Sequence, residues 1–235
     1  MDIGKRLSLV DWQKLSEDLD NVGYAVLPAL LARSHCEMVR DLFDEADLFR
    51  SRIVMERYNF GQGEYKYSNY PLPDAVSELR TLIYPHLVPV ANRWHAAMKI
   101  GSRFPERHAE FISRCHSAGQ RRPTPLMLRY TSGGYCCLHQ DLYGEHVFPL
   151  QVVLLLSEPD RDFTGGEFML VEHDTKRTPR AELVPLKQGD AVVFAVNSRP
   201  VPSERGHYRV VMRHGVSRLH AGDRNTLGII FHDAT

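Results

Sequence analysis

Cys136, Cys137, His139 and Asp141 fall within one short stretch, GGYCCLHQDLYG, and each of these types can bind a metal or carry a proton. If residues 135 to 141 form a strand, side chains alternate between faces. Cys137, His139 and Asp141 then point one way, Leu138 and Gln140 the other. His139 and Asp141 can grip one ion. Zinc held by Cys136, Cys137 and His139 is disfavoured, because consecutive strand residues face opposite ways. A histidine and a carboxylate lack one further histidine to make the two-histidine, one-carboxylate set, which binds Fe(II) on one face and leaves the opposite face open. His214, 73 residues after Asp141, ends an apolar strand pattern with Val210 and Met212 on its own face. His220 is the rival, but it falls in a turn only four residues before Arg224. The competing reading of any one histidine is a hydrogen-bonded core side chain. Arg224, ten residues beyond His214, starts the last strand, where a guanidinium is suited to bidentate pairing with a carboxylate. Cys137 is expected as a small wall residue beside His139, and Cys136 as packing on the other face.

The elements that must position these residues change character along the chain. Trp12, Leu15 and Leu19 mark a helix, and GYAVLPALL reads as a short strand. Ser34 and Glu37 form a capping box, and Cys36, Val39, Phe43 and Ala46 repeat at helical spacing, so a helix is expected over 34 to 49. Two more helical patches, 74 to 83 and 86 to 98, are separated by Pro85. After Pro125 the chain turns to eight short apolar or alternating runs: 126–130, 135–139, 148–156, 167–171, 181–186, 191–196, 208–214 and 226–231. Gly-rich turns separate them, as in an antiparallel sandwich or jelly roll. Helices first and strands second give an α+β chain, with helices bracing one sheet. The expected organisation is one domain over 1–235, helical through 124 and β-rich from 125.

With 235 residues, 43% hydrophobic and 25% charged, the chain has the composition of an ordinary globular protein with one sizeable core. Its formal net charge is zero. Locally, Lys99, Arg103, Arg107, Arg114, Arg121 and Arg122 outweigh Glu106 and Glu110, a modest basic face. No apolar run approaches the ~20 residues of a membrane-spanning helix, and the N-terminus lacks a signal-peptide layout, so the expected address is the cytoplasm. The four cysteines have no C-x-x-C spacing and read as reduced thiols.

The order H-x-D, a distant histidine, then arginine ten positions on resembles the Fe(II)/2-oxoglutarate-dependent dioxygenases, most closely their prolyl-4-hydroxylase-like branch. Tyr130-x-x-Gly133 before the metal strand, the GGEF turn at Gly165–Phe168 and QGDAVVF at Gln188–Phe194 stand where that branch has them. The resemblance covers Leu126 to Phe231 and implies a double-stranded β-helix (jelly roll) core. It implies that His139, Asp141 and His214 hold Fe(II) and that Arg224 binds the distal carboxylate of the cosubstrate 2-oxoglutarate, with Tyr130 and Thr226 as further hydrogen-bonding candidates. A continuous strand puts Tyr130 on the wrong face, and only a break at Gly133-Gly134 rescues it. The implied activity uses O2 to hydroxylate a C–H bond, releasing succinate and CO2. Val152, Leu154, Phe194, Met212 and Ile229 are expected as the apolar wall. Many prolyl hydroxylases have lysine in place of the arginine, so Arg224 weakens proline as the target.

For the substrate, RYNFGQGEYKYSNY interleaves Tyr58, Phe60, Tyr65, Tyr67 and Tyr70 with donors. Such rings suit stacking on a flipped or single-stranded base; the plainer reading is an aromatic hairpin flanking the barrel. HQDLYGEHVFPLQ, RHGVSR and LGIIFHDA also resemble a group of bacterial oxygenases assigned to damaged nucleic acid. The resulting expectation is oxidative demethylation of alkylated DNA or RNA, as in DNA repair, with Tyr58, Tyr65 and Tyr67 as substrate contacts. The alternatives are a hydroxylase of a peptide side chain or small metabolite, and a non-catalytic jelly-roll binding module.

Overall fold

The structure, a computed structural model, describes residues 3–174 and 178–235. A seven-stranded sheet runs from edge to edge as β1 (Tyr24–Leu27), β11 (Ala191–Ala195), β7 (Leu150–Leu155), β15 (Arg224–Ile230), β5 (Leu126–Tyr130), β4 (Glu64–Ser68) and β2 (Phe49–Val54). A six-stranded sheet orders β10 (Arg180–Val184), β9 (Phe168–His173), β13 (Gly206–Val216), β6 (Tyr135–His139) and β3 (Gly61–Gln62), with β12 (Ser198–Ser203) paired to β13. β8 (Phe163–Gly165) and β14 (Leu219–Gly222) form a small ribbon. Side chains of both sheets line one cavity, the arrangement of a double-stranded β-helix.

β7, β11 and β15 are buried at every position. One face meets the cavity side and the other is covered, with α4 (Asp74–Ala97) packed against β15. In strands buried on both faces, apolar residues fall on either side and do not mark the cavity face. This corrects the expected wall. Gln151, Val153, Thr226 and Gly228 line the cavity, so by alternation Val152, Leu154 and Ile229 lie on the opposite faces of β7 and β15.

The helical layer differs from expectation at two places. The helix expected over 34–49 is α3 (Arg33–Asp41), after which the chain breaks into 3-10 turns at Leu42–Asp44 and Ala46–Leu48. Its N-cap is Ala32, with no side-chain cap bond, because Glu37 pairs instead with Arg33 one turn before it. Pro85 does not divide the next helix: α4 runs unbroken through Pro85 and Pro89. A proline inside a helix costs about 3 kcal/mol, and the buried stripe of Leu79, Ile83, Leu87, Ala91 and Trp94 offsets it. α1 (Ile3–Leu7), α2 (Trp12–Val22) and α5 (His108–Ser117) complete the layer.

The part before residue 125 is not only helical, since it also contributes β1 to β4. β2 pairs antiparallel with β4, and β4 with β5, so the aromatic segment is a hairpin that widens the seven-stranded sheet. Behind it, buried Arg80 of α4 donates to the Ile230 carbonyl and pairs with Asp233 at 2.7 Å, while Tyr70 and His116 also donate to Asp233. This network locks the C-terminal segment onto α4 and α5. Among the described residues no helix is long and apolar enough to cross a membrane.

Candidate active site

β6 and β13 bring the candidate donors together. His139 pairs with His214 and Cys136 with Val216, so three steps along β6 match two along β13. The extra residue is a β-bulge, which re-aims side chains locally. The expected alternation fails there. Cys136 is buried and lines the cavity, whereas Cys137 is exposed. The expected roles of the two cysteines are therefore exchanged, and the Cys136 sulfur lies 3.7 Å from His139 Nδ1.

His139, Asp141 and His214 present ligand-type atoms all within 4.8 Å of one another. Asp141 Oδ1 is 3.7 Å from His139 Nε2, and Asp141 Oδ2 is 3.4 Å from His214 Nε2. His139 Nδ1 donates to the Cys137 carbonyl at 2.9 Å, which leaves Nε2 with a bare lone pair facing the carboxylate. Burial, and then the neighbouring His214, push His139 down to about 4, so it is neutral near pH 7. Burial works to raise the Asp141 carboxyl, but the polar pull of the nearby His214 and His139 rings and the hydrogen bond from the Tyr143 hydroxyl outweigh it. Asp141 is thus held well below the usual carboxylate range. A neutral imidazole and an ionised carboxylate are the protonation states a metal requires. Phe194 packs beside His214 with ring centroids 4.7 Å apart. Two imidazoles and a carboxylate on one wall of a cavity fit an Fe(II) ion with open positions.

Arg224, Tyr130 and Thr226 line the same cavity. The chain breaks at Gly133 and Gly134, where Gly133 takes φ +85° and Gly134 donates to the Thr131 carbonyl. The break carries the backbone from β5 in one sheet to β6 in the other. Tyr130 and His139 therefore face a common interior. Arg224 is 2% exposed, its Nε finds no hydrogen-bond partner, and no carboxylate among the described residues pairs with it. A buried, uncompensated guanidinium is costly unless a ligand supplies the anion. That observation fits the distal carboxylate of 2-oxoglutarate. Its closest rings are those of Tyr130 and Phe163, at 5.8 and 5.9 Å. Arg218, by contrast, caps the Gly133 carbonyl at the surface, and His220 is exposed on β14.

Of the expected substrate contacts, Tyr65 and Tyr67 line the cavity, and Tyr58 does not; it stands 67% exposed on a 3-10 turn. Phe60 lies edge-on to His139 at 4.7 Å. Sequence reasoning did not assign Tyr143, whose hydroxyl donates to Asp141 Oδ1 at 2.7 Å and accepts from Tyr67 at 2.7 Å. Its only signal was its place two residues after a candidate ligand. Gln120 was missed altogether. Its buried amide bonds the Tyr143 and His146 carbonyls and the His146 N–H, fixing the loop that follows Asp141.

Comparison with known proteins places this geometry. The sequence pattern of a family described as an oxygenase catalysing oxidative methylation of damaged DNA matches residues 63–234. An uncharacterised protein of Mycobacterium tuberculosis is 44% identical over 164 residues, 70% of either chain. A 2OG-Fe(II) oxygenase-family oxidoreductase from Burkholderia pseudomallei aligns over 97% of this chain and 93% of its own, with 17% identity and a TM-score of 0.53. A Trichoplax adhaerens prolyl hydroxylase aligns over 98% and 92%, with 12% identity and a TM-score of 0.57. The structural likenesses establish a shared fold, and the sequence match adds kinship: the chain belongs to the oxygenase family described for damaged DNA, built on the double-stranded β-helix of the 2OG-Fe(II) oxygenases.

Proposed function

We propose that the protein is an Fe(II)- and 2-oxoglutarate-dependent dioxygenase that removes methyl lesions from nucleic acid. The observation that carries this reading is the pairing of His139, Asp141 and His214 with a buried arginine that lacks an anion, in one cavity. The triad would hold Fe(II), and Arg224 the distal carboxylate of 2-oxoglutarate, with Tyr130 and Thr226 beside it. Bound iron supplies the activation of O2, which the side chains alone cannot perform. The protein's own part is to keep His139 neutral and Asp141 ionised, to present the cosubstrate in one orientation, and to exclude water with Leu126, Leu128, Val153 and Phe168.

The chemistry balances without a protein acid or base. Substrate C–H, 2-oxoglutarate and O2 give C–OH, succinate and CO2. On an N-methyl group the product is a hemiaminal, whose C–N bond breaks to release formaldehyde and the unmodified base. Nothing in the reaction donates a methyl group, so the oxidation described for the family is read here as acting on a methyl already present. Phe60 offers a flat ring beside His139 and Tyr65 a second ring edge-on to Phe60 in the same cavity, suited to stacking on an unpaired base. Tyr67 is less suited to that role because its hydroxyl is committed to Tyr143. All four cysteines are free thiols, which suits a repair role in the reducing cytoplasm.

The test is formaldehyde and succinate release with methylated single- and double-stranded oligonucleotides, run beside methylated and proline-containing peptides. Turnover on oligonucleotides alone supports the reading. Turnover on peptides alone moves the substrate to a protein side chain.

A further inference from the structure

Two tyrosines 76 residues apart meet at Asp141. Tyr143 stands on the loop after β6, and Tyr67 on β4 of the aromatic hairpin. The carboxylate has no proton to give, so Tyr143 must donate to Oδ1, and its oxygen can then only accept from Tyr67. The order of the chain is fixed: Tyr67 to Tyr143 to Asp141. Each link measures 2.7 Å, the usual length of a well-formed hydroxyl hydrogen bond. Linked donors of this kind strengthen one another where water is excluded.

The pair is not needed to hold the loop in place, because Gln120 already bonds it at Tyr143 and His146. The phenol is aimed by a backbone that is anchored independently. Its contact with the carboxylate occupies Oδ1 and leaves the lone pairs of Oδ2 toward His214 Nε2. The far end of the chain is tied to the substrate side. Tyr67 packs edge-on against Tyr65 at 5.4 Å, and the Arg50 guanidinium lies 4.6 Å over its ring.

We propose that Tyr143 and Tyr67 are positioning residues that set the orientation of the Asp141 carboxylate, and hence the strength of metal binding, from the aromatic hairpin. The inference rests on Asp141 being a metal ligand. Loss of a hydrogen bond to a ligating group commonly costs 10- to 100-fold in metal affinity. The experiment is an anaerobic Co(II) titration without 2-oxoglutarate, reading affinity and the visible absorption of the bound ion, on the wild type, Tyr143→Phe, Tyr67→Phe and the double variant. Tyr143→Phe is expected to bind Co(II) roughly 10- to 100-fold more weakly, with an altered absorption envelope at saturation. Tyr67→Phe should shift both readouts in the same direction by a smaller amount. The double variant should match Tyr143→Phe, since Tyr67 acts only through Tyr143. Melting of each metal-free chain separates loss of fold from loss of positioning, and Tyr67→Phe, which leaves the inner bond intact, tests the chain even if Tyr143→Phe melts early. Wild-type affinity and spectrum in either folded single variant, or additive losses in the double variant, overturn the proposal. A wild-type chain that binds no Co(II) or Fe(II) overturns the metal reading with it.

Discussion

At the scale of single residues, the metal reading and the cosubstrate reading separate cleanly. His139→Ala or Asp141→Ala removes one of three converging donors, so bound iron and 2-oxoglutarate decarboxylation should both be lost; metal analysis and succinate release check this, and full turnover in either variant rejects the triad. Arg224→Ala should act differently, because the guanidinium lines the cavity without contacting the donors. Losing a partner for a buried carboxylate costs ~2 to 5 kcal/mol, so the apparent affinity for 2-oxoglutarate should fall by roughly 30-fold or more while iron content holds. Arg218→Ala is the control, since the Arg218 side chain meets the Gly133 carbonyl and the Tyr135 ring at the surface and does not line the cavity. A loss at Arg218 without one at Arg224 reverses the assignment. The donors were legible because a polar side chain ending an apolar run stands out from its neighbours. Tyr143 was not legible, because a loop tyrosine has no periodic context and its role depends on a residue 76 positions away.

At the scale of elements, eight strands after Pro125 could be read from apolar runs and turn residues, and two of them, 126–130 and 135–139, match β5 and β6 end to end. What could not be read was which face each residue takes. On β6 a bulge inserts one residue and swaps the two cysteines, and on β7 and β15 both faces are buried, so hydrophobicity carries no sign of direction. β12, with prolines at 200 and 202, reads as a turn until it is seen as a strand paired to β13. The loop after Asp141 yields a prediction of its own. Gly144 has φ +101°, and a Cβ there would lie 2.5 Å from the Gln120 side chain. Gly144→Ala should therefore strain the loop and displace Gln120, lowering the melting temperature and weakening metal binding together. Unchanged melting and metal affinity would show that the loop adapts freely.

At the scale of the whole molecule, acid sensitivity follows from histidines buried as neutral groups. Burial pushes His108 down to about 4 and His232 down to about 3. His232 Nδ1 accepts from the Phe148 N–H and would lose that bond on protonation, while His108 would keep its bond to the Phe231 carbonyl but carry its charge in a buried site. Their folded values lie below the unfolded value of ~6.5. Between these limits the unfolded chain binds more protons, so this stability is complete above about pH 6.5 and is lost as pH falls toward 4. The urea midpoint measured at pH 7.5, 6 and 5 should decline below 6.5. A midpoint that stays level over that range contradicts the neutral burial of these two residues.

The bulge in β6 also gives the natural chain a built-in labelling position. Burial pushes the Cys36 thiol up to about 11 and Cys136 up to about 12, and Cys115 is buried as well. Cys137 alone of the four is exposed, two residues from His139. One equivalent of a maleimide fluorophore should therefore attach there in the folded protein, with no cysteine removed. Such a dye would stand on the outer side of the strand whose inner side carries the donors, and its emission would report metal and substrate arrival in real time on an otherwise unaltered sequence.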